Sequence, residues 1–264
     1  IAALCRLLAA SPNQTFTLNH FCEQFGAAKS TMSEDIDILK QVFAEFDLGT
    51  LETVTGAAGG VRFRPTLSKR AANAFVTGLC QELRSERRVL PGVYLYLSEL
   101  LSLPQIVSKM GVIIAQEYYD ASPDFVLTME TKGIPVALMT AQALGVPLVI
   151  ARHSGKVYEG PAVNINYVTG SSGSIDTMSL SRRAVREGQR ALIVDDFLKA
   201  GGTAKGMCDL MREFNVTVVG TAFVMATAKP ENKRISGEKA LMVLESPDLD
   251  PETLRISPAP WLML

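Results

Sequence analysis

Leu192-Ile-Val-Asp-Asp-Phe-Leu-Lys-Ala-Gly-Gly-Thr203 opens as an apolar strand, passes through two adjacent carboxylates and ends on a glycine pair. The strand is expected over Arg190–Val194 and a helix from Thr203. Ligands of open α/β sheets sit beyond the carboxyl ends of the strands. There, the amides of Lys199-Ala200-Gly201-Gly202-Thr203 and the positive end of the helix would cradle an anion, with the Thr203 hydroxyl added. Asp195 and Asp196, acceptor-only when ionised, suit ribose hydroxyls directly or through a magnesium ion. Phosphate beside sugar is the joint reading, and a plain polar strand-to-helix loop is the alternative.

Strand-like apolar runs alternate with helical ones on either side: Phe125–Met129 strand, Ile134–Leu144 helix, Pro147–Ala151 strand, Thr203–Phe214 helix, Thr217–Ala226 strand. Continuous apolar strands separated by helices imply an α/β fold, a parallel sheet flanked by helices. The first strand runs into Glu130-Thr131-Lys132-Gly133-Ile134-Pro135, where Lys132 is by itself an ordinary solvated lysine. Val163–Ser181, rich in Gly, Ser, Thr and Asn, reads as a long hairpin or a loop over a site. Arg182 and Arg183 after it fit a diphosphate or a solvated face equally well.

Upstream, the order is helix, helix, helix, hairpin. Leu4, Leu7 and Leu8 share one face of a helix ended by Ser11-Pro-Asn, and Leu18, Phe21, Cys22 and Phe25 share one closed by Gly26. A third is expected from near Thr31, with Thr31-x-x-Glu34 as capping box, through Ile36, Leu39, Val42, Phe43 and Phe46. Two helices joined by Gly26-Ala-Ala-Lys have helix-turn-helix spacing. Thr50–Val54 and Val61–Arg64, separated by a glycine-rich loop, read as a wing. The division is therefore a winged helix-turn-helix domain over 1–70, a connector helix over 71–91 and an α/β domain over 92–264.

Composition narrows the function. Net charge is −1, and residues 1–70 carry as many acidic as basic side chains, so DNA binding would rest on local patches. Four scattered cysteines and two histidines give no zinc or disulfide spacing. No apolar run approaches the roughly 20 residues of a membrane span, and no signal-peptide pattern opens the chain, so a cytoplasmic location is expected.

The string from Leu192 to Thr203 resembles the fingerprint of type I phosphoribosyltransferases, with Ala200 where those enzymes commonly carry a threonine. That exchange removes one phosphate-facing hydroxyl, worth about 0.5–1.5 kcal/mol. The resemblance implies 5-phosphoribosyl pyrophosphate as ligand, held by Asp195, Asp196, Lys199, Ala200, Gly201, Gly202 and Thr203, with Thr131, Lys132 and Gly133 as the pyrophosphate loop. Together with Ala28–Ile36 and the wing string Gly49–Gly60, the chain resembles the purine operon regulators of Gram-positive bacteria, a winged helix fused to a phosphoribosyltransferase-like domain. That likeness implies a homodimeric, non-catalytic regulator that binds operator DNA upstream of purine genes. Lys29, Ser30, Thr31 and Ser33 would meet the major groove and Arg62 and Arg64 the backbone or minor groove, while Tyr94 would lie near the effector. No cofactor is required, though magnesium could accompany the effector near Asp195 and Asp196, and guanosine tetraphosphate could compete for the pocket. The alternative is an active purine phosphoribosyltransferase with an appended DNA-binding domain.

Overall fold

The computed structural model describes all residues except 57–58, 85–88, 91–93, 155–159, 170–173, 246–253 and 264, and only the backbone of 89–90 and 94–95. The amino-terminal part comprises α1 (Ala2–Ala10), β1 (Thr15–Phe16), α2 (Leu18–Phe25), α3 (Lys29–Glu45), β2 (Thr50–Val54) and β3 (Gly60–Arg64). Its core joins Leu4 and Leu8 of α1, Phe21 of α2, Met32, Ile36, Leu39 and Phe43 of α3, and Leu51, Val61 and Phe63 of the hairpin. The α3 residues recur at three- and four-residue intervals, the spacing that puts them on one helical face. Gly26, at φ 61°, turns α2 into α3 in the left-handed conformation.

Three details depart from expectation. α3 starts two residues before Thr31: Ala28 is its N-cap and no side chain caps it, so there is no Thr31–Glu34 capping box. The extended backbone at Ala28 opens the helix early enough to leave Lys29, Ser30 and Thr31 in the first turn. Phe46 follows the last helical turn at 63% exposure rather than joining the core. A short strand, β1, also pairs with β3, Thr15 opposite Arg62, and makes the hairpin a three-stranded sheet. At two residues it is too short for a periodic signal.

The remainder comprises α4 (Lys69–Leu83), β4 (Val89–Leu90), β5 (Tyr94–Leu95), α5 (Ser98–Leu101), α6 (Pro104–Gln116), β6 (Phe125–Met129), α7 (Ile134–Leu144), β7 (Leu148–Ala151), β8 (Ala162–Val168), β9 (Ile175–Ser181), β10 (Arg190–Leu198), α8 (Gly202–Glu213), β11 (Thr217–Thr227), β12 (Lys239–Leu244) and β13 (Ile256–Pro258). Ser68 caps α4, its hydroxyl accepting from the Ala71 amide at 3.2 Å. The expected connector is shorter than 71–91: the helix ends at Leu83, and β-branched Val89 stands in a strand. Ala72, Val76, Leu79 and Leu83 bury one side of α4 in the main core, so the helix covers the large sheet as well as joining the two parts.

That sheet has the order β13-β12-β11-β10-β6-β7, parallel throughout except for the β12–β13 pair. Alternation sorts its side chains. Val126, Leu192, Val194, Ala222, Val224 and Leu241 pack beneath α4, α6 and α7. Phe125, Leu127, Met129, Ala191 and Ile193 face α8 and the β8–β9 hairpin. Successive residues of β6 and β10 thus bury on opposite faces, which explains why both read as unbroken apolar runs.

The two parts meet along a polar seam. Tyr119 donates to the Pro65 carbonyl at 2.9 Å, and the Arg64 guanidinium lies 4.7 Å from the Tyr119 ring centre. The Leu67 amide donates to Gln116 Oε1 at 3.1 Å, and Asn13 Nδ2 donates to the Leu144 carbonyl at 2.8 Å.

Candidate functional site

β6 continues through α7 to β7 on one side of it, whereas β10 continues through α8 to β11 on the other. The direction of strand progression therefore reverses between β6 and β10, and a crevice opens beyond their carboxyl ends. Pairing of β10 with β6 stops at Ile193, while pairing with β11 continues to Leu198. The strand is longer than its apolar run: Asp195 and Asp196 lie within it, along the flank that β6 has left. Hydrogen bonding to β11 carries it past the two acids, which sequence polarity alone could not anticipate.

Asp195 is 7% exposed, and its Oδ1 accepts from the Asp196 amide at 3.0 Å. Burial, and then the neighbouring Asp196 charge, push its carboxyl well above the usual carboxylate range. Asp196 is also raised by burial, while Lys132 opposes the shift. A buried acid beside a half-buried one, with no ion pair among the described residues, is costly, and such pairs mark sites where something else completes the charge balance.

Opposite them, Thr131 and Lys132 are exposed at the mouth and Gly133 is buried. Gly133 is the N-cap of α7. A Cβ there would strike Asp195 Oδ1 and come within 2.6 Å of Thr128 Oγ1, so only glycine lets the loop lie against β10. Thr128 Oγ1 is buried with no hydrogen-bond partner among the described residues. On the other wall, Gly201 caps α8 at φ 79° with no side-chain cap, which leaves the amides of the first turn, Gly202 and Thr203 among them, without an intrahelical acceptor. The Ala200 carbonyl accepts from the Arg234 amide at 3.0 Å, which anchors the loop from behind. Lys199 is exposed at its lip. Two helix N-termini, two carboxylates and two lysines thus surround one crevice.

Sequence reasoning missed the wall above α8. The Tyr167 ring packs on Gly206, and its hydroxyl donates to Asp176 Oδ2 at 3.4 Å. Asp176 also pairs with His153 Nδ1 at 3.0 Å. A tyrosine in a strand-like Asn-Ile-Asn-Tyr run carries no signal of this; only the hairpin register, Tyr167 opposite Asp176, reveals it. Arg182 and Arg183 are exposed just past β9. The side chain of Tyr94 lies outside the described residues.

In the amino-terminal domain, Lys29, Ser30, Thr31 and Ser33 are all exposed around the first turns of α3. Glu34 is exposed beside them and Asp35 half-buried. The wing arginines are occupied: Glu52 accepts from Arg62 at 2.7 Å and from Arg64 at 2.9 Å. Arg64, 13% exposed, also donates to Asn13 Oδ1 at 3.0 Å and covers Tyr119. The structure puts it in the seam, apart from the α3 face.

Residues 1–65 match the family described as bacterial purine repressor, N-terminal, and residues 97–250 the phosphoribosyl transferase domain. The chain is 41% identical over 253 residues to the purine biosynthesis transcriptional repressor PurR of Bacillus subtilis, covering 96% of this chain and 89% of that protein. It is 40% identical over 238 residues to the purine biosynthesis transcriptional activator PurR of Lactococcus lactis, covering 90% and 88% respectively. The fold also matches the adenine phosphoribosyltransferase of Thermoanaerobacter pseudethanolicus, with a TM-score of 0.53 at 23% identity over 62% of this chain and 96% of that one. The chain therefore belongs to the family of bacterial purine biosynthesis transcriptional regulators, in which a purine-repressor-type DNA-binding domain is joined to a domain of phosphoribosyltransferase fold.

Proposed function

We propose that this regulator binds DNA upstream of purine biosynthesis genes and senses 5-phosphoribosyl pyrophosphate in its carboxy-terminal domain without turning it over. The observation that carries the reading is the crevice between β6 and β10. Its Asp195–Asp196 pair, Asp195 buried and Asp196 half-buried, lies in β10 between the α8 N-terminus and the Thr131–Gly133 loop. The 5-phosphate would sit at the α8 N-terminus, on Lys199, Ala200, Gly201, Gly202 and Thr203, because an oriented helix end stabilises a dianion without a buried counter-cation. The ribose hydroxyls would donate to Asp195 and Asp196, replacing the partners that burial denies them. The diphosphate would meet Thr131, Lys132 and Gly133, and Tyr94 lies on the strand nearest this domain's start.

Among the described residues no cluster of three or more His, Cys, Asp or Glu could hold a metal. Two carboxylates match magnesium only as a partner of ligand oxygens, which the diphosphate and ribose would supply. Bound in that way, the ion would neutralise diphosphate charge.

For DNA, Lys29, Ser30, Thr31 and Ser33 form one exposed set of donors at the α3 N-terminus, the shape and chemistry that enter a major groove. Arg62 supports the wing backbone contact in part. Arg64 leaves this set, since its charge is spent on Glu52 and the seam. A homodimer would present two such faces, and the relatives' names, one repressor and one activator, leave both signs of regulation open to the same architecture.

The test is fluorescence anisotropy of purine-operon upstream DNA with and without the effector, on wild type and on Asp195→Ala/Asp196→Ala. The double variant should keep DNA binding and lose the effector response. An equal response in both proteins overturns the assignment of the crevice.

A further inference from the structure

Helix α7 touches the effector crevice at one end and the DNA-binding domain at the other. Its N-cap, Gly133, lies against Asp195. Its last carbonyl, Leu144, accepts from Asn13 Nδ2 of the winged-helix domain at 2.8 Å. Gly145, which ends α7 at φ 68°, comes so close to the Pro12 carbonyl that a Cβ there would collide with it. At 11 residues the helix is a rod of about 16 Å. It packs along its length against α6 and β6, and a packed helix responds to a push at one end by a small shift of the whole element.

Asn13 is built for both halves of that contact. It sits in the left-handed region at φ 58°, which asparagine tolerates better than other side chains. Its own amide donates to the Phe63 carbonyl of β3 at 2.7 Å. The side-chain carbonyl accepts from Arg64 Nε at 3.0 Å, while the side-chain NH2 holds α7. A single amide therefore links the wing strand, through its donor and its acceptor, to the end of the helix that begins at the crevice. Helix-terminal carbonyls want a donor, and no other side-chain donor to Leu144 is present among the described residues.

We propose that Asn13 is the positioning residue through which α7 couples effector occupancy to the orientation of the winged helix. The proposal rests on the effector reading above. A ligand seated on the Thr131–Gly133 loop would shift the N-terminus of α7. The shift would arrive at Asn13 as a displacement of the Leu144 carbonyl, and Asn13 would pass it to β3 and Arg64.

The test uses the full chain and two variants. Asn13→Gly keeps the left-handed backbone and deletes the amide. Asn13→Asp keeps the acceptor for Arg64, loses the donor and sets a carboxylate against the negative end of α7. Three quantities are read: phosphoribosyl pyrophosphate affinity by calorimetry, the ratio of DNA affinities with and without it, and hydrogen exchange of residues 134–144 on adding purine-operon upstream duplex. Both variants should bind the effector within about twofold of wild type, while the DNA-affinity ratio falls at least about fivefold toward one, within the usual span of allosteric coupling. The duplex should alter α7 exchange in wild type and not in the variants. An unchanged ratio with unchanged exchange in either folded variant overturns the proposal. Should wild type and Asp195→Ala/Asp196→Ala bind the effector equally, the effector reading fails instead. Exchange alone then decides: a DNA-induced change in α7 that Asn13→Gly abolishes sustains the positioning role, and its absence in wild type ends it.

Discussion

Asp195 holds a carboxyl where burial favours the protonated form. Because its folded pKa is raised, its contribution to stability is complete below the ordinary carboxylate range and is lost as pH rises through the folded value. Asp195→Asn should therefore stabilise the unliganded chain at neutral pH by about 1–2 kcal/mol, with the gain shrinking as pH falls, in thermal melts. A gain that does not vary with pH would assign the effect to packing. Gly133→Ala should do the opposite: the Cβ has nowhere to go but into Asp195 and Thr128, so the loop must shift. Effector affinity should fall more than tenfold in calorimetry, with about 1–3 kcal/mol lost from unfolding free energy, the usual cost of overpacking. At this scale the sequence was most legible. Adjacent acids and glycines at a strand end announce chemistry by their types alone, whereas Tyr167, Asn13 and Glu52 acquire meaning only from partners 9, 131 and 10 positions away.

Among the elements, α3 carries the DNA-facing prediction. Lys29→Ala should weaken operator binding across all sequences and lower the salt slope of log Kd by about one unit, checked by anisotropy over a salt series. Arg64→Ala should leave that slope nearly unchanged and instead destabilise the chain, because it strips Glu52, Asn13 and Tyr119 of a shared partner. The strands and helices around the crevice could be placed from apolar runs within a few residues, since parallel strands buried on both faces write themselves as continuous hydrophobic stretches. Ends were less legible. β10 overran its apolar run because ladder pairing with β11 continued through charged residues, and α3 began early because an extended Ala28 can open a helix without a side-chain cap.

For the whole molecule, the phosphoribosyltransferase fold is shared with true enzymes, so fold cannot decide activity. Steady-state assays with adenine, guanine, hypoxanthine and xanthine, supplied with magnesium and phosphoribosyl pyrophosphate, should give turnover far below the roughly 1 s⁻¹ floor of ordinary enzymes. Turnover at that level would end the sensor reading. How the domains meet was not legible beforehand. The seam is made of backbone amide and carbonyl groups, one asparagine, one glutamine, one tyrosine and one arginine, none of which has a periodic or compositional signature.

Glu52, gripping both Arg62 and Arg64, withdraws two cations of the winged helix from any duplex. One such domain would bind a duplex more weakly for that loss, and a tethered second copy, if the proposed dimer forms, would act through avidity, at an effective concentration on the order of mM for a short link. Occupancy would then depend steeply on whether both copies can reach their half-sites together. A small change in the angle between domains, too slight to disturb any single contact with DNA, would be enough to release the pair.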